Sequence, residues 1–465
     1  MTRSSFRARK KWADRVPAAP SPTTTLGKFT NAVPLPFHLL LTGFNLWRAS
    51  LSALVVHVID GPIKSSWSLT TSVLHSMLKC LLESHPPQGR HAMDVVRFAT
   101  QWPIPAFLFN STFSGASISI SSSDRLQDAV VAALGITGKL NYLSSETSRY
   151  IYGEWSNHET EHNDSQTAIL YLHGGAHIFM NPTTHRSLTS TLAHRTKRPV
   201  FSPDYRLCPE NPFPAAIVDA LACYMAMIGY EPKLNGSSTR WAQPNHMNRS
   251  FKNVFLVGDS SGACLILQLM QTLKLLDIPL PVGAVLLSPF LDHGIVKVDV
   301  EMKSASWHVN WNADFLALDM KGVEWAMQIY ANGLSPGHPV VSPVHSDLWG
   351  LPPILVQSGD SEVVTDDAVL FSENAREAGT HVQLELYKDM FHVFHLFSHL
   401  NESTEAVNRI VFFITETLDE LECDSNVTLS SENAAFSKQY SLKNQSTLIS
   451  LDGIVAKETV FVKPN

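Results

Sequence analysis

From about residue 167 onward, the chain alternates short apolar runs with longer helical patterns. Continuous apolar runs predict buried strands at 167–172, 199–205, 253–257, 283–288, 353–358 and 382–387. Between them, apolar positions recur at helical spacing over 213–228, 261–275, 366–378 and 404–421. Strands separated by helices predict a mostly parallel central sheet with helices on both faces, which is an α/β fold.

The N-terminal part of the chain differs, because residues 37–59 form one long, mostly apolar stretch. Large apolar residues, among them Leu40, Phe44, Trp47 and Leu51, fall on one helical face, and smaller or polar residues fall on the other. The stretch therefore predicts an amphipathic helix. Three roles stay open for it: a cap over an apolar pocket, a segment that lies on a membrane, or a targeting segment.

Charge favours a membrane surface for this end of the chain. Residues 1–28 carry seven basic side chains and one acidic one, although the whole protein has a formal net charge of −7. Arg48 lies near the middle of the apolar stretch, where insertion into a bilayer would cost ~2.5–3.5 kcal/mol, and this disfavours a spanning helix. We predict association with the endoplasmic reticulum membrane, with a cytoplasmic location as the alternative.

Composition excludes several classes of protein. The 465 residues are 44% hydrophobic and only 17% charged, so the chain can bury a large core and does not resemble a nucleic-acid-binding protein. Five scattered cysteines, none in a CxxC pair, argue against a zinc knuckle or a disulfide scaffold. Seven N-x-S/T sequons would accept glycans only in a lumenal protein; they begin at Asn110, Asn163, Asn235, Asn248, Asn401, Asn426 and Asn444.

The same patterns divide the chain into four parts. Residues 1–28 are a basic arm, and residues 29–115 are a helical cap or membrane-associated segment. The α/β domain follows at 116–422, and residues 423–465 are a polar tail that we predict to be disordered.

A G-x-S-x-G pentapeptide at 258–262 stands directly after a predicted strand and opens a helical run. This is the context of a nucleophile elbow, a tight turn that exposes a serine at the carboxyl edge of a sheet. Ser260 is therefore the candidate nucleophile, and the helix N-terminus behind it favours developing negative charge. The alternative is an ordinary glycine turn between a strand and a helix.

The segment His173-Gly174-Gly175-Ala176-His177 ends another predicted strand. Small residues after a strand allow several backbone N–H groups to point inward, as an oxyanion hole requires. The two histidines have i, i+4 spacing, but the glycines between them indicate a loop, and the glutamate of an HExxH zinc motif is missing. We therefore predict no metal site here.

His392 follows the last predicted strand and lies downstream of Ser260, which fits the chain order serine, acid, histidine. We predict that His392 is the catalytic base. His395 and His399 follow it within about one helical turn each. We interpret these two as surface histidines rather than as zinc ligands.

Five motifs occur in one order: HGGAH at 173–177, DYRLCPENPFPAA at 204–216, GDSSG at 258–262, LSP at 287–289 and DMFH at 389–392. Together they closely resemble the hormone-sensitive-lipase-like α/β-hydrolases, a family that includes arylacetamide deacetylase and microbial carboxylesterases. The resemblance covers about residues 140–415 and implies an α/β-hydrolase fold with an N-terminal helical cap. We interpret Arg206 and Glu210 as a polar pair that fixes their loop.

The resemblance implies a serine–histidine–acid triad that needs no metal and no cofactor. It assigns the oxyanion donors to the N–H groups of Gly175, Ala176 and Ser261, with Gly174 shaping the turn. Three positions depart from the family pattern: Ala176 replaces a glycine, Ser261 replaces an alanine, and Ala263 replaces a glycine. None of the three removes a backbone donor.

Two residues compete for the acid of the triad. Asp360 is the first carboxylate after the preceding strand. The family pattern D-x-L-x-D-[DE], however, aligns without a gap when Asp366-Asp367 match its last two acids, and this alignment puts Glu362 at the catalytic position. We predict Glu362, with Asp360 as the alternative, because the acid only has to orient the imidazole and stabilise its cation.

The predicted function is that of a serine carboxylesterase or deacylase for small-molecule esters with small to medium hydrophobic groups. Tryptophans in the N-terminal segment and in an insertion at 294–345 indicate a hydrophobic pocket, with core packing as the alternative; they are Trp47, Trp67, Trp307, Trp311 and Trp325. Two other functions stay open. One is an acyltransferase that uses the same acyl-enzyme, and the other is a non-catalytic binding protein, since plant gibberellin receptors resemble these hydrolases but lack the histidine. The sequence does not predict an oligomeric state.

Overall fold

The computed structural model describes most of the chain from residue 35 to residue 428. The described residues are 35–84, 111–120, 123–136, 149–157, 166–230, 250–294, 305–316, 320–428 and 446–449, with short pieces at 96–97, 100–101, 105, 108, 233–234, 237–238 and 242–244. The helices are α1 (Leu35–Ile59), α2 (Leu69–Ser84), α3 (Ser123–Ala133), α4 (Arg186–Thr196), α5 (Ala215–Ile228), α6 (Ser261–Leu275), α7 (Ala305–Val309), α8 (Met320–Ala331), α9 (Thr365–Glu377) and α10 (Asn401–Thr428).

Most strands belong to one large sheet. The strands are β1 (Thr112–Ile120), β2 (Arg149–Asn157), β3 (Thr167–Leu172), β4 (Val200–Pro203), β5 (Lys233–Leu234), β6 (Ser237–Ser238), β7 (Ala242–Pro244), β8 (Asn253–Asp259), β9 (Gly283–Leu287), β10 (Ile354–Gly359), β11 (Val382–Tyr387) and β12 (Ser446–Ile449). The order in the large sheet is β12-β11-β10-β9-β8-β3-β4-β2-β1-β7, and β5 pairs with β6 separately.

The sheet is mostly parallel, as predicted from the alternation of strands and helices. Neighbours from β12 to β4 pair in parallel, whereas β2, β1 and β7 extend the sheet with antiparallel pairs. Every residue of β3, β9 and β10 is buried, because helices cover both faces. The carboxyl ends of the parallel strands meet at one edge, where open α/β sheets hold their ligands.

Two apolar cores lie on the two faces of the sheet. One core contains side chains from α3, α5, α6, α8 and α9, such as Leu265 and Phe371. The other contains side chains from α4 and α10, such as Leu188 and Val407. Helix α6 is buried along nearly its whole length, so its N-terminus is held firmly against the middle of the sheet. The predicted α/β-hydrolase fold is confirmed.

Helix α1 is present as predicted, but it packs through the opposite face from the one expected of a cap. Thr42, Ala49, Ala53 and Val56 are buried, and α1 contacts α2. The large apolar side chains point to solvent; they include Leu40, Phe44, Trp47, Leu51, Leu54, Val55 and Val58. These side chains therefore do not cover a pocket. No helix among the described residues is long and apolar enough to cross a bilayer.

The C-terminal boundary differs from the prediction. Helix α10 continues to Thr428, past the predicted boundary at 422, and β12 pairs in parallel with β11. The prediction of a disordered tail is therefore wrong for residues 423–428 and 446–449. The reason is that β11 would otherwise end the sheet with unpaired backbone N–H and C=O groups, which an extended segment can pair.

The predicted pair between Arg206 and Glu210 is also wrong. The guanidinium of Arg206 binds the buried carboxylate of Asp219 on α5, with an Nη2–Oδ1 distance of 2.8 Å. Glu210 instead binds Arg97 from the N-terminal region, with an Oε1–Nη1 distance of 2.8 Å. Arg97 also donates to the carbonyl of Ile178. Arg206 and Glu210, although close in sequence, therefore each bind a different residue that only the fold brings near.

Candidate active site

Ser260 lies in the tight turn between β8 and α6. Its backbone angles are φ 53° and ψ −121°, outside the region that serine prefers, and its N–H donates to the carbonyl of Leu287 at 2.8 Å. The turn also needs glycine before it, because a Cβ on Gly258 would lie 2.6 Å from the carbonyl oxygen of Leu172. This geometry is that of a nucleophile elbow.

His392 joins Ser260 to Glu362. The distance from His392 Nε2 to Ser260 Oγ is 2.9 Å, and the distance from His392 Nδ1 to Glu362 Oε2 is 3.1 Å. All three side chains are buried. The structure therefore brings together the three residues that were predicted as nucleophile, base and acid.

The second oxygen of Glu362 is held by neighbouring donors. The hydroxyl of Ser288 donates to Oε1 at 2.7 Å, and the N–H of Gly359 donates to the same oxygen. The Ser288 hydroxyl in turn accepts the N–H of Val393 at 2.9 Å. These donors satisfy a carboxylate oxygen that would otherwise be buried without a hydrogen-bond partner. Ser288 is the serine of the LSP motif, so that motif positions both Glu362 and the loop of His392.

Asp360, the alternative acid, has other partners. Its Oδ1 accepts the N–H of Asp389 and the hydroxyl of Ser361, each at 2.7 Å. It thereby stabilises the turn that leads from β11 to His392. Burial raises the pKa of Asp360 despite these hydrogen bonds. Its place in the structure is that of a loop residue beside the site.

The surroundings of His392 favour its charged form. Burial alone would lower the pKa of the imidazole, but the hydrogen bond and charge of Glu362, with the charges of Asp314 and Asp259, raise it above the ordinary value for histidine. A raised pKa makes the imidazole a stronger acceptor for the hydroxyl proton of Ser260. His395 differs, because burial lowers its pKa to about 3 and the charge of Asp259 does not offset this. The prediction that His395 is a surface residue is wrong, whereas His399 is exposed.

The loop after β3 faces Ser260. Gly175, Ala176 and His177 have φ values of 113°, 54° and 60°, so three successive residues adopt left-handed conformations. The N–H groups of Gly175, Ala176 and Ser261 have no hydrogen-bond partner within the described part of the chain. Successive free N–H groups in such a turn form a concave site for an anion.

Two contacts hold this loop against the nucleophile turn. The N–H of Gly174 donates to Asp259 Oδ1 at 3.0 Å, so Gly174 shapes the loop rather than facing the pocket with its N–H. The N–H of His177 donates to the hydroxyl of Ser261 at 3.2 Å. The serine that departs from the family pattern therefore gains a contact that an alanine cannot make.

Asp259 anchors the loop from a buried position. The hydroxyl of Tyr171 donates to its Oδ1 at 2.6 Å, and His185 Nε2 lies 3.3 Å from the same oxygen. Burial would raise the pKa of Asp259, but His185 and Tyr171 outweigh it and lower the pKa to about 2. No motif spacing in the sequence marks Tyr171 or His185, so their contacts with Asp259 become visible only in the fold.

A cavity of about 140 Å³ opens beside Ser260 and is lined almost entirely by apolar side chains. Its walls come mainly from α2, from the loop after β3 and from the insertion at 294–345. Residues of these segments in the wall are Leu82, Phe179, Met180, Trp307, Phe315, Leu316 and Met327, and Val96 and Phe290 also line the cavity. Among the five tryptophans considered above, Trp307 contacts the cavity. Trp47 is exposed on α1, and Trp67 packs against Phe391 with ring centroids 5.4 Å apart.

One group of buried side chains within the described residues has the composition of a metal site. Ligand atoms of His177, Cys264 and His293 lie within 4.8 Å of one another. His177 belongs to the loop after β3, and its ring stacks on Tyr330 with centroids 3.7 Å apart. The Cys264 thiol is directed at the carbonyl of Val341. The contacts of Ser260, His392 and Glu362 do not involve these three side chains.

Comparison with known proteins identifies the family. A family model described as the α/β hydrolase fold matches residues 169–396. An acetyl-hydrolase of Streptomyces hygroscopicus is 37% identical over 227 residues, which is 49% of this chain and 68% of that protein. An esterase of Acinetobacter venetianus is 34% identical over 251 residues, which is 53% of this chain and 74% of that protein. The chain belongs to the hormone-sensitive-lipase-like α/β-hydrolases.

Solved structures agree with this membership. The crystal structure of an esterase/lipase from an uncultured bacterium superimposes on this α/β-hydrolase with a TM-score of 0.54 and 25% identity, covering 74% of this chain and 97% of its own. The family and its esterase relatives make the protein a carboxylic ester hydrolase. The resemblance stated from the five motifs is therefore confirmed.

Proposed function

We propose that the protein hydrolyses carboxylic esters through an acyl-enzyme on Ser260. The observation that carries the proposal is the continuous contact from Ser260 Oγ to His392 Nε2 and from His392 Nδ1 to Glu362, at 2.9 and 3.1 Å. A serine hydroxyl becomes a nucleophile when an adjacent base accepts its proton, and the base is effective when an acid orients it.

The reaction proceeds in two halves. Ser260 Oγ attacks the ester carbonyl carbon while its proton passes to His392 Nε2, and the carbonyl oxygen becomes an oxyanion that accepts the N–H groups of Gly175, Ala176 and Ser261. The tetrahedral intermediate then collapses: its carbon–oxygen bond to the leaving alcohol breaks, and the alcohol oxygen takes the proton from His392 Nε2. Water repeats the sequence on the acyl-enzyme, and the carboxylic acid leaves with Ser260 restored.

Trapping the acyl-enzyme tests this mechanism. Purified protein should hydrolyse p-nitrophenyl butyrate, and mass spectrometry after rapid acid quenching should find an added butyryl group on the peptide that contains Ser260. Ser260→Ala should lose both the turnover and the adduct. Full turnover by Ser260→Ala would refute the mechanism. Added alcohols that divert most of the acyl group into a new ester would instead favour an acyltransferase.

We further propose that the ester carries a hydrophobic group of small to medium size. The apolar walls of the cavity beside Ser260 support this, because they offer few partners for polar groups of a ligand. A chain-length series of p-nitrophenyl esters tests it through kcat/KM. A maximum at acetyl would assign the cavity to a bulky alcohol, whereas a maximum at four carbons or more would assign it to the acyl chain. Equal rates for charged and apolar acyl groups would contradict the proposal.

The exposed face of α1 supports a membrane surface as the partner of this protein. Phe44 and Trp47 are 55% and 60% exposed, and they are part of a continuous apolar stripe. Arg48 is exposed beside the stripe, and the basic residues of 1–28 precede it in the chain. Exposed apolar side chains next to basic ones match an interface of lipid tails and anionic headgroups.

Vesicle flotation tests the membrane proposal. Wild-type protein should float with vesicles that contain phosphatidylserine, and Phe44→Gln with Trp47→Gln should remain at the bottom. The matched control is Phe412→Gln with Trp349→Gln, since these side chains are 58% and 69% exposed but lie outside α1. Equal flotation of both double variants would refute the proposal. If the wild-type protein is a dimer in solution and only Phe44→Gln with Trp47→Gln is a monomer, the exposed face of α1 binds a second copy of the chain instead.

A further inference from the structure

A buried carboxylate outside the triad contacts both of the loops that carry the base and the acid. Asp314 lies in the insertion between β9 and β10 and is fully buried. Its Oδ2 accepts the N–H of Val363, the residue after Glu362, at 2.8 Å. Its Oδ1 accepts the N–H of His392 at 3.3 Å and that of Leu316 at 3.1 Å. One side chain therefore joins three segments that are far apart in sequence.

We propose that Asp314 is a positioning residue for His392: its carboxylate fixes the spacing between the two loops and adds a second negative charge beside the imidazole. The inference rests on the proposed role of His392 as the base. Each turnover converts His392 to an imidazolium when it takes the proton of Ser260. A charge held near that ring before the reaction stabilises the cation without further rearrangement.

The same segment connects the base to the substrate cavity and to the N-terminal helices. Phe315 and Leu316, which follow Asp314 directly, line the cavity beside Ser260. On the other side, Lys79 of α2 donates to the carbonyl of Trp311 at 2.7 Å. Asp314 thus connects Phe315 and Leu316 in the cavity wall to His392, the proposed base.

The charge of Asp314 acts on His392 together with a small set of other groups. Glu362 and Asp259 also raise the pKa of His392, and the neighbouring His395 interacts with it electrostatically. Burial raises the pKa of Asp314, and Glu362 adds to this, while the charge of His392 and the N–H groups of Val363 and Leu316 oppose the rise. The three N–H donors favour the carboxylate form. His75 of α2 also lies against this segment, where it interacts with the backbone of Asp314, and burial lowers its pKa to about 3.

The pH dependence of kcat/KM separates a positioning role from a purely structural one. In Asp314→Asn, kcat should fall on the order of 10²-fold because the base is misplaced. The acidic limb of the profile should also move to lower pH, because loss of the negative charge lowers the pKa of His392. The matched control is Asp366→Asn. The N–H of Ser306 in the insertion donates to Asp366 Oδ2 at 3.0 Å, so this variant also removes a charge from a carboxylate that links the insertion to the segment after Glu362. Its limb should stay at the wild-type pH.

The outcomes distinguish the inference from the proposed mechanism. An unmoved limb in Asp314→Asn overturns the inference while leaving the triad intact. Full activity of His392→Gln, measured alongside, overturns the mechanism itself. If Asp314→Asn does not fold, Asp314→Ser takes its place, because its hydroxyl accepts one of the three N–H groups without a charge. If neither variant folds, Asp314 is a requirement of the fold, and the inference fails.

Discussion

The edge of the sheet that holds Ser260 and the outer face of α1 treat their side chains in opposite ways. At the edge, buried polar groups such as Glu362, Asp259 and Ser288 each have partners from different segments. On α1, large apolar groups such as Phe44 and Trp47 face solvent. Burying polar groups and exposing large apolar groups both reduce the stability of the folded state unless a further interaction compensates. Both arrangements are therefore best understood through what each region binds.

The difference also concerns tolerance to change. A buried hydrogen-bonded residue at the sheet edge cannot be replaced without leaving a partner unpaired, which costs about 1–3 kcal/mol for a neutral group and more for a charged one. An exposed apolar residue on α1 has no such partner. Substitutions should therefore affect catalysis strongly at the edge and affect membrane binding, but not folding, on α1.

The largest effect should come from the acid of the triad. Glu362→Gln keeps the shape of the side chain but presents a neutral amide to His392 Nδ1, so kcat should fall about 10⁴-fold, as for comparable changes in serine hydrolases. Asp360→Asn should lose far less, since its carboxylate contacts Asp389 rather than the imidazole. Steady-state kinetics of both variants on p-nitrophenyl butyrate provide the measurement. A large loss in Asp360→Asn with near wild-type activity in Glu362→Gln would reverse the assignment.

A smaller loss should follow from releasing the oxyanion loop. Asp259→Asn retains the size of the side chain but weakens its bonds with the N–H of Gly174, the hydroxyl of Tyr171 and His185. The N–H groups of Gly175 and Ala176 would then be less well aligned, and kcat should fall on the order of 10²-fold. The acyl-enzyme should still form on Ser260, only more slowly. An unchanged rate of acylation in rapid-quench experiments would show that the loop holds its shape without Asp259.

The pH profile of the wild-type enzyme should reflect the charged surroundings of His392. The imidazole acts as a base only when it is neutral, so kcat/KM falls as pH drops through its pKa. Since Glu362, Asp314 and Asp259 raise that pKa, the fall should be centred above the usual histidine value of about 6.5. Detection at the isosbestic wavelength of p-nitrophenol keeps ionisation of the product from imitating the effect. A midpoint at or below the usual value would contradict the raised pKa.

The two regions also differ in how well the sequence predicts them. Ser260 and His392 could be singled out because each follows a predicted strand in the expected chain order, whereas Glu362 came from the alignment with the family pattern. The structure brings the three together. Asp314 could not, because it lies in an insertion without a motif and reaches His392 only through the fold. The predicted pair between Arg206 and Glu210 is wrong for the same reason. Their partners, Asp219 and Arg97, are distant in sequence, and only the fold brings them near.

On α1, the periodicity of the apolar residues predicted the two faces but not which of them packs on the protein. Burial of the large side chains would be the ordinary outcome for a water-soluble helix. Here Ala49 and Ala53 form the packed face instead, and small residues allow α1 and α2 to approach closely. A helical pattern therefore predicts that two faces exist, while the partner of each face depends on the surroundings of the helix.

The smallest expected effect is also the sharpest test of this contrast. Phe44→Gln and Trp47→Gln should each change the free energy of unfolding by less than about 0.5 kcal/mol, because both side chains are more than half exposed. Ala53→Leu, on the packed face and only 2% exposed, should cost about 1–3 kcal/mol through overpacking. Urea unfolding of the three variants without lipid gives both values. If Phe44→Gln or Trp47→Gln destabilises the protein as much as Ala53→Leu does, the outer face is covered by the chain itself and is not free to meet a membrane.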